Sequence, residues 1–317
     1  MASPGSAFEE PLEELRRRIE ELEAFPEESK AQRELAKLRK QLHKTTSQVF
    51  RGLDAWQKTL VARHFDRPYV LDYVNGMMSD FVELHGDRAF GDDPSIVAGL
   101  ATFRGRTIAV VGHEKGRGTN ERIHRQFGQA RPEGHRKALR VMQLAARFGK
   151  PVVTFIDTPG AYPGRGAEER GQAESIARNL IEMSGLEVPI VAIITGEGWS
   201  GGALALGVAD RVMMLEYAVH SVITPEGCAA ILWRDQDKKA EAARAMRITA
   251  GELVELDVID EVIPEPLGGA QADHEEAFRL VGDRLDRTLR ALERLKPTEL
   301  VKRRYDRFRR LGVYEEG

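Results

Sequence analysis

The chain has 317 residues, 42% of them hydrophobic and 31% charged, and a formal net charge of −3. That balance suits one large domain, or one domain with an appendage, and argues against bulk nucleic-acid binding while leaving room for a local basic patch. The single cysteine, Cys228, excludes an intrachain disulfide framework and a cysteine-based zinc site, and no apolar run reaches the ~18 residues of a membrane-spanning helix.

The N-terminus is polar and acidic, which predicts no signal peptide and a cytoplasmic setting. Pro11 suits the first turn of a helix, and Leu12, Leu15, Ile19 and Leu22 then recur at spacings of three and four. Phe25-Pro26 breaks that pattern. A second helix is expected to carry Leu35, Leu38, Leu42, Val49, Leu53 and Trp56. Residues 1–60 thus read as a helical hairpin, either an arm packed on its own domain or a clasp between subunits. Residues 95–103 and 107–111 read as a strand hairpin turning at Arg104-Gly-Arg106. A helix is expected over 134–148, with Ala138, Val141, Met142, Leu144 and Ala145 as its apolar face. Short strands are expected at 212–215, 221–224 and 258–263, with a helical pair at 237–256. A long helix over 273–294 and a basic one over 297–310 end the pattern.

Between these elements a strand, a glycine-rich corner and a helix follow one another twice. The apolar run 151–156 leads into Asp157-Thr-Pro-Gly-Ala-Tyr-Pro-Gly164 and a helical pattern from Ala167 to Met183. The run 188–194 leads into Gly196-Glu-Gly-Trp-Ser-Gly-Gly-Ala-Leu-Ala-Leu-Gly207. A helix start carries unpaired N–H groups and the positive end of the helix dipole. Gly201 and Gly202 lack a Cβ, so a ligand oxygen can approach those amides closely. Such a corner can hold an oxyanion, with Gly160 and Ala161 of the first corner placed to complete the site. Crevices of this kind lie beyond the carboxyl ends of strands in α/β folds. Many short strand–strand–helix units predict a spiral α/β fold rather than an open doubly wound sheet.

Asp157-Thr-Pro-Gly-Ala-Tyr-Pro-Gly164 with Gly166-Ala-Glu-Glu-Arg-Gly-Gln172 resembles the signature of the α subunit of bacterial acetyl-CoA carboxylase carboxyltransferase. Pro225-Glu-Gly-Cys-Ala-Ala-Ile-Leu-Trp233, Ile263-Pro-Glu-Pro-Leu-Gly-Gly269, Gly134-His-Arg-Lys-Ala-Leu-Arg140 and Gly86-Asp-Arg-Ala89 fit the same family, so the likeness runs from about Leu12 to Tyr305. The resemblance implies a crotonase-like spiral of ββα units over residues 61–295, with the N-terminal hairpin before it and a basic helix and tail over 296–317. It implies transfer of the carboxyl group of carboxybiotin to acetyl-CoA, giving malonyl-CoA, the first committed step of fatty acid synthesis. It implies a β subunit that alone carries zinc, in an α2β2 assembly, together with a biotin carboxyl carrier protein and a biotin carboxylase. By the same resemblance, the paired glycines Gly201 and Gly202 face the ureido oxygen of biotin. This chain has Trp199 where the family usually has glycine, and His220 where tyrosine is more usual. A related biotin-dependent acyl-CoA carboxyltransferase or decarboxylase fits the same motifs.

Two further patterns compete with these. Gly198-Trp-Ser-Gly-Gly202 matches a G-x-S-x-G nucleophile elbow, which would make Ser200 a hydrolase nucleophile. Only His220 and His274 follow it as triad histidines. The basic stretch 115–140 reads either as a solvated face or as an anion site, with Lys115, Arg117 and Arg136 as the contacts. Asp157 is expected to cap its turn, and Glu168-Glu169 to favour the helix dipole. Cys228 is expected to be a buried thiol, and the basic segment 302–310 a solvated helix.

Overall fold

The computed structural model describes residues 8–24 and 29–312. Eight strands form one mixed sheet among these residues: β1 (Ser79–Glu83), β2 (Ile96–Phe103), β3 (Arg106–His113), β4 (Val152–Thr158), β5 (Ile190–Trp199), β6 (Arg211–Leu215), β7 (Val219–Ser221) and β8 (Glu261–Ile263). β1, β2 and β3 pair antiparallel, and the β2–β3 turn places Arg104 and Gly105 at positive φ (46° and 79°). From β3 the sheet runs parallel in the order β3-β4-β5-β6-β8, with β7 beside the far end of β5. Strands covered on both faces are apolar throughout rather than alternating. Accordingly every residue of β4 and β5 is buried. The carboxyl ends of these parallel strands share one rim.

The register between β4 and β5 shifts near that rim. Ile156 faces Ile194, but Thr158 faces Gly198, so Asp157 stands alone opposite Thr195, Gly196 and Glu197. The Asp157 carboxylate fills the widened ladder and accepts the Glu197 N–H at 3.0 Å. Gly196 makes this possible, because a Cβ there would lie 2.5 Å from Asp157 Oδ1. The expected turn-capping role of Asp157 is therefore replaced by one inside the sheet. Past the bulge, Glu197 and Trp199 point to one face, since side chains alternate along a strand.

The helix Pro132–Arg147 starts at a proline that gives up no needed N–H. Its Val141 and Met142 are fully buried, each stabilising the fold by about 1.5–3 kcal/mol relative to exposure. The pattern from Ala167 to Met183 is two helices, Arg165–Glu169 and Gln172–Gly185, because Gly171 between them is left-handed at φ 83°. The second strand expected at 221–224 ends at Ser221. Thr224 instead accepts the Gly227 N–H and caps the helix Pro225–Trp233. Lys239–Ala245 and Ala250–Glu255 form the helical pair, and the strand expected over 258–263 shortens to β8.

At the N-terminus, Glu10–Glu23 and Ser29–Arg51 pack through Leu15, Ile19, Leu35 and Leu38. The expected break at Phe25-Pro26 lies outside the described residues. Trp56 belongs not to the second helix but to a third, Ala55–Ala62, which Asp54 opens with a capping box. The hairpin rests on its own domain through Leu12 and Phe50, the latter edge-on to Tyr217 at 5.3 Å. At the other end the helix Pro297–Arg309 is docked, not merely solvated. Arg304 is 1% exposed, and it binds Asp210 at 2.8 and 3.0 Å together with the carbonyls of Met183, Leu186 and Val188. Arg307 likewise holds Asp260. Residues 313–317 of the expected tail lie outside the described residues.

Candidate active site

The two corners meet at the rim. A Cβ on Gly202 would lie 2.5 Å from the Ala161 nitrogen and 2.6 Å from the Gly160 carbonyl carbon, so the second corner sits directly on the first. Gly160 has φ 132°, which L side chains rarely adopt, and Ser200 takes a left-handed φ of 55° between β5 and the short helix Ser200–Leu204. Gly201 has more room, its nearest neighbour for an added Cβ being Ile176 Cδ1 at 3.3 Å. Gly202 and Gly160 are buried, Gly201 and Ala161 half-buried, and Ser200 exposed.

The amides at the two corners differ. The Gly160 N–H donates to Thr158 Oγ1 at 3.0 Å and is already occupied, so the expectation that it faces a ligand is corrected. Among the described residues, the N–H groups of Ala161, Gly201 and Gly202 make no hydrogen bond within the protein. Unpaired backbone donors are uncommon away from water, and three of them lie at this one junction.

Beneath the corners lies a buried charge cluster. Lys115 Nζ is 2.6 Å from Asp157 Oδ1 and 2.9 Å from Glu197 Oε1. Arg63 Nε donates to Glu197 Oε2 at 2.7 Å, and the Trp199 indole N–H to the same oxygen at 2.6 Å. Arg63 also reaches Glu226 at 2.6 Å. Burial alone would raise the Glu197 pKa, but Lys115 and Arg63 outweigh it and hold the carboxyl at about 2. Burial dominates at Asp157 and pushes its carboxyl up, because the one ammonium is shared and Glu197 adds repulsion. Lys115 stays charged, as its two carboxylates more than offset its burial.

The three expected anion contacts do not form one site. Lys115 is consumed by this cluster. Arg136 is turned away, its Nε on Asp87 Oδ2 at 2.8 Å and a second nitrogen on the Arg170 carbonyl. Arg117 binds Asp72 and stacks on Tyr69 at 4.8 Å. It lines a cleft of about 800 Å³ with Arg63, Phe65, Tyr69 and Arg122. Of the expected contacts, only Arg117 borders open space at the rim.

The elbow reading of Ser200 lacks a base. His220 Nδ1 lies 2.6 Å from the Gly198 carbonyl, so that nitrogen carries the proton and serves the backbone. His274 bonds the Asp66 carbonyl from the start of its own helix. His113, the last residue of β3, and His135 are both buried, the latter on Ser175. Glu169 pairs with Arg165 on the surface, and Cys228 is only half-buried. Glu197 and Arg63 are the residues that sequence reasoning missed. An acid two places before a tryptophan at the end of an apolar strand was the available signal.

A mixed sheet whose parallel strands end in two abutting glycine corners gives this chain a crotonase-like fold. The Pseudomonas malonate decarboxylase hetero-tetramer in complex with coenzyme A superposes with a TM-score of 0.58 at 17% identity, covering 76% of this chain and 97% of that one. Transcarboxylase 12S superposes with a TM-score of 0.56 at 21% identity, covering 69% of this chain and 41% of that one. The chain belongs to the acetyl co-enzyme A carboxylase carboxyltransferase-like family, whose sequence profile matches residues 6–312. Its relative in Geobacter metallireducens, the acetyl-coenzyme A carboxylase carboxyl transferase subunit alpha, is 57% identical over 268 residues, 84% of each chain.

Proposed function

We propose that this chain is the α subunit of an acetyl-CoA carboxylase carboxyltransferase, making malonyl-CoA from acetyl-CoA together with a β subunit. The observation that carries the reading is the junction of the two corners, where three backbone amides stand unpaired beside each other. Carboxybiotin, on a separate carrier protein, supplies the carboxyl group when bound. The chain's own part is electrostatic. The amides of Gly201, Gly202 and Ala161 would hold the ureido oxygen, an acceptor-only group that suits a cradle made only of donors. Fixed donors of this kind need no reorganisation as charge builds, and each is worth roughly 2.7–4 kcal/mol of barrier. No side-chain base is required of this chain, and Gly160 serves by its backbone shape while its amide holds Thr158.

Partial exposure of the cradle in the single chain supports a site closed by a second subunit, which we take to be the zinc-bearing β chain. Purified alone, the chain is expected to yield no malonyl-CoA from free carboxybiotin. Co-purified with its β subunit it should do so, and with acetyl-CoA in preference to propionyl-CoA. Malonyl-CoA formation by the single chain would overturn the two-subunit reading. A preference for propionyl-CoA would move the protein to a related acyl-CoA carboxyltransferase. Labelling of Ser200 by a fluorophosphonate would revive the hydrolase, and inertness is expected.

A further inference from the structure

The turn that presents Gly201 and Gly202 is strained at one residue and anchored on both sides of it. Ser200 holds φ 55° without being glycine, a conformation that persists only where its surroundings fix it. On the far side Gly202 is seated on Gly160 and Ala161. On the near side stands Trp199, 0% exposed, packed with Ala62, Val219, Ala243 and Ile248. Its indole N–H reaches Glu197 Oε2 at 2.6 Å, an oxygen that also accepts from Arg63. The other oxygen of Glu197 is held by Lys115, which grips Asp157 as well. Arg63 in turn lies 5.8 Å from the Trp199 ring and 6.0 Å from that of Trp56. The strand ends leading to the two corners are thus joined by Lys115, and the indole pins the last residue before the strained turn to that junction.

We propose that Trp199 is a positioning residue, which through its N–H bond to Glu197 and its buried ring sets the direction in which the Gly201 and Gly202 amides face. The proposal rests on reading those amides as the oxyanion cradle. Trp199 touches no reactant. It acts on the rate because a donor displaced by ~1 Å can cost about a hundredfold. Lys115, Asp157, Glu197 and Trp199 are buried, so a change at the indole is transmitted through that buried core to the turn, while Arg63 and Glu226 form its solvent-facing edge.

The test uses the complex of the full chain with its β subunit, assayed for malonyl-CoA from carboxybiotin and acetyl-CoA. Trp199→Phe keeps a ring in the apolar cluster and deletes the N–H. Its expected effect is a fall in kcat of about tenfold to a hundredfold, with KM for acetyl-CoA within about twofold of wild type and an unchanged yield of assembled complex. Glu197→Gln, of the same size, loosens the same anchor and should give the same split. It also keeps the question answerable if Trp199→Phe does not assemble. A wild-type kcat in the variant that assembles, or a loss matched by an equal loss of assembled complex, would overturn the positioning role. An inactive wild-type complex would overturn the functional reading and this inference with it. An active wild type beside a fully active Trp199→Phe would overturn this inference alone.

Discussion

Gly201 and Gly202 adjoin in sequence but differ in what they can tolerate. A methyl on Gly202 would press into the backbone of Gly160 and Ala161, which cannot swing aside as a side-chain tip can. Overpacking of that kind costs about 1–3 kcal/mol. Gly202→Ala is therefore expected to lower the melting temperature by several degrees and to abolish malonyl-CoA formation by the assembled complex. Gly201→Ala meets only Ile176 Cδ1 at 3.3 Å, so the fold should hold while the bulk at the cradle slows transfer. Melting curves beside rates separate the two, and equal melting temperatures for both variants would contradict the seating of one corner on the other. The glycine pair was legible in the sequence because a strand, a corner and a helix recur around it. Which glycine packs and which stays open was not, since it depends on a contact between segments some 40 residues apart.

At the scale of elements, the last helix shows how charge can be mistaken for exposure. The run of cations around Arg304 reads as a solvated surface, yet two of its arginines are internal ties. Arg304 turns its donors to Asp210 and to four carbonyls, of Met183, Ser184, Leu186 and Val188, at the end of the helix Gln172–Gly185 and in the segment entering β5. Removing one member of a buried pair leaves the other charge uncompensated, typically at about 3–5 kcal/mol. Arg304→Met should cost that order in urea unfolding, whereas Arg303→Met, whose partner Glu299 is largely exposed, should stay within about 0.5 kcal/mol. Comparable losses in both would show that the tie carries no special weight. Periodicity located this helix well, as it did the β2–β3 hairpin and Pro132–Arg147. It failed where a single left-handed residue, Gly171, divides one apolar stripe between two helices. It failed again at Trp56, where the stripe runs on past the break that Asp54 caps.

For the molecule as a whole, acid is the informative perturbant. His113 and His135 are fully buried, and burial, with neighbouring positive or imidazole groups, holds their pKa values at about 3 and about 4. An unfolded imidazole titrates near ~6.5, so between these limits the unfolded chain binds more protons. Stability is thus complete above ~6.5 and is lost as pH falls toward the folded values, by about 1.4 kcal/mol per pH unit for each ring. The Glu197 contribution persists to lower pH, being lost only on the way from the ordinary carboxyl range down to about 2. Asp157 works in the opposite sense, since its raised carboxyl takes up a proton more readily when folded. Between pH 6.5 and 5 the buried Glu114 carboxyl, raised to about 7, opposes the two histidines, and His113→Gln should reduce the loss of stability with falling pH by up to about 1.4 kcal/mol per pH unit in urea unfolding. An unchanged slope would mean that the ring is protonated in the folded protein. None of this could be read from the sequence, where nothing marks His113 or His135 as buried among the lysines and arginines around them.

The bulge in β5 also bears on what lengths of chain the rim can accept. Three residues there answer to one on β4, and the side chains beyond it follow a two-step alternation. Excising any one of them would flip the phase of everything downstream, turning the indole outward and an amide-bearing turn inward. A single-codon deletion library should be barren from 195 to 199 yet tolerant at the exposed positions 235–237, so the stretch is frozen in length as well as in composition.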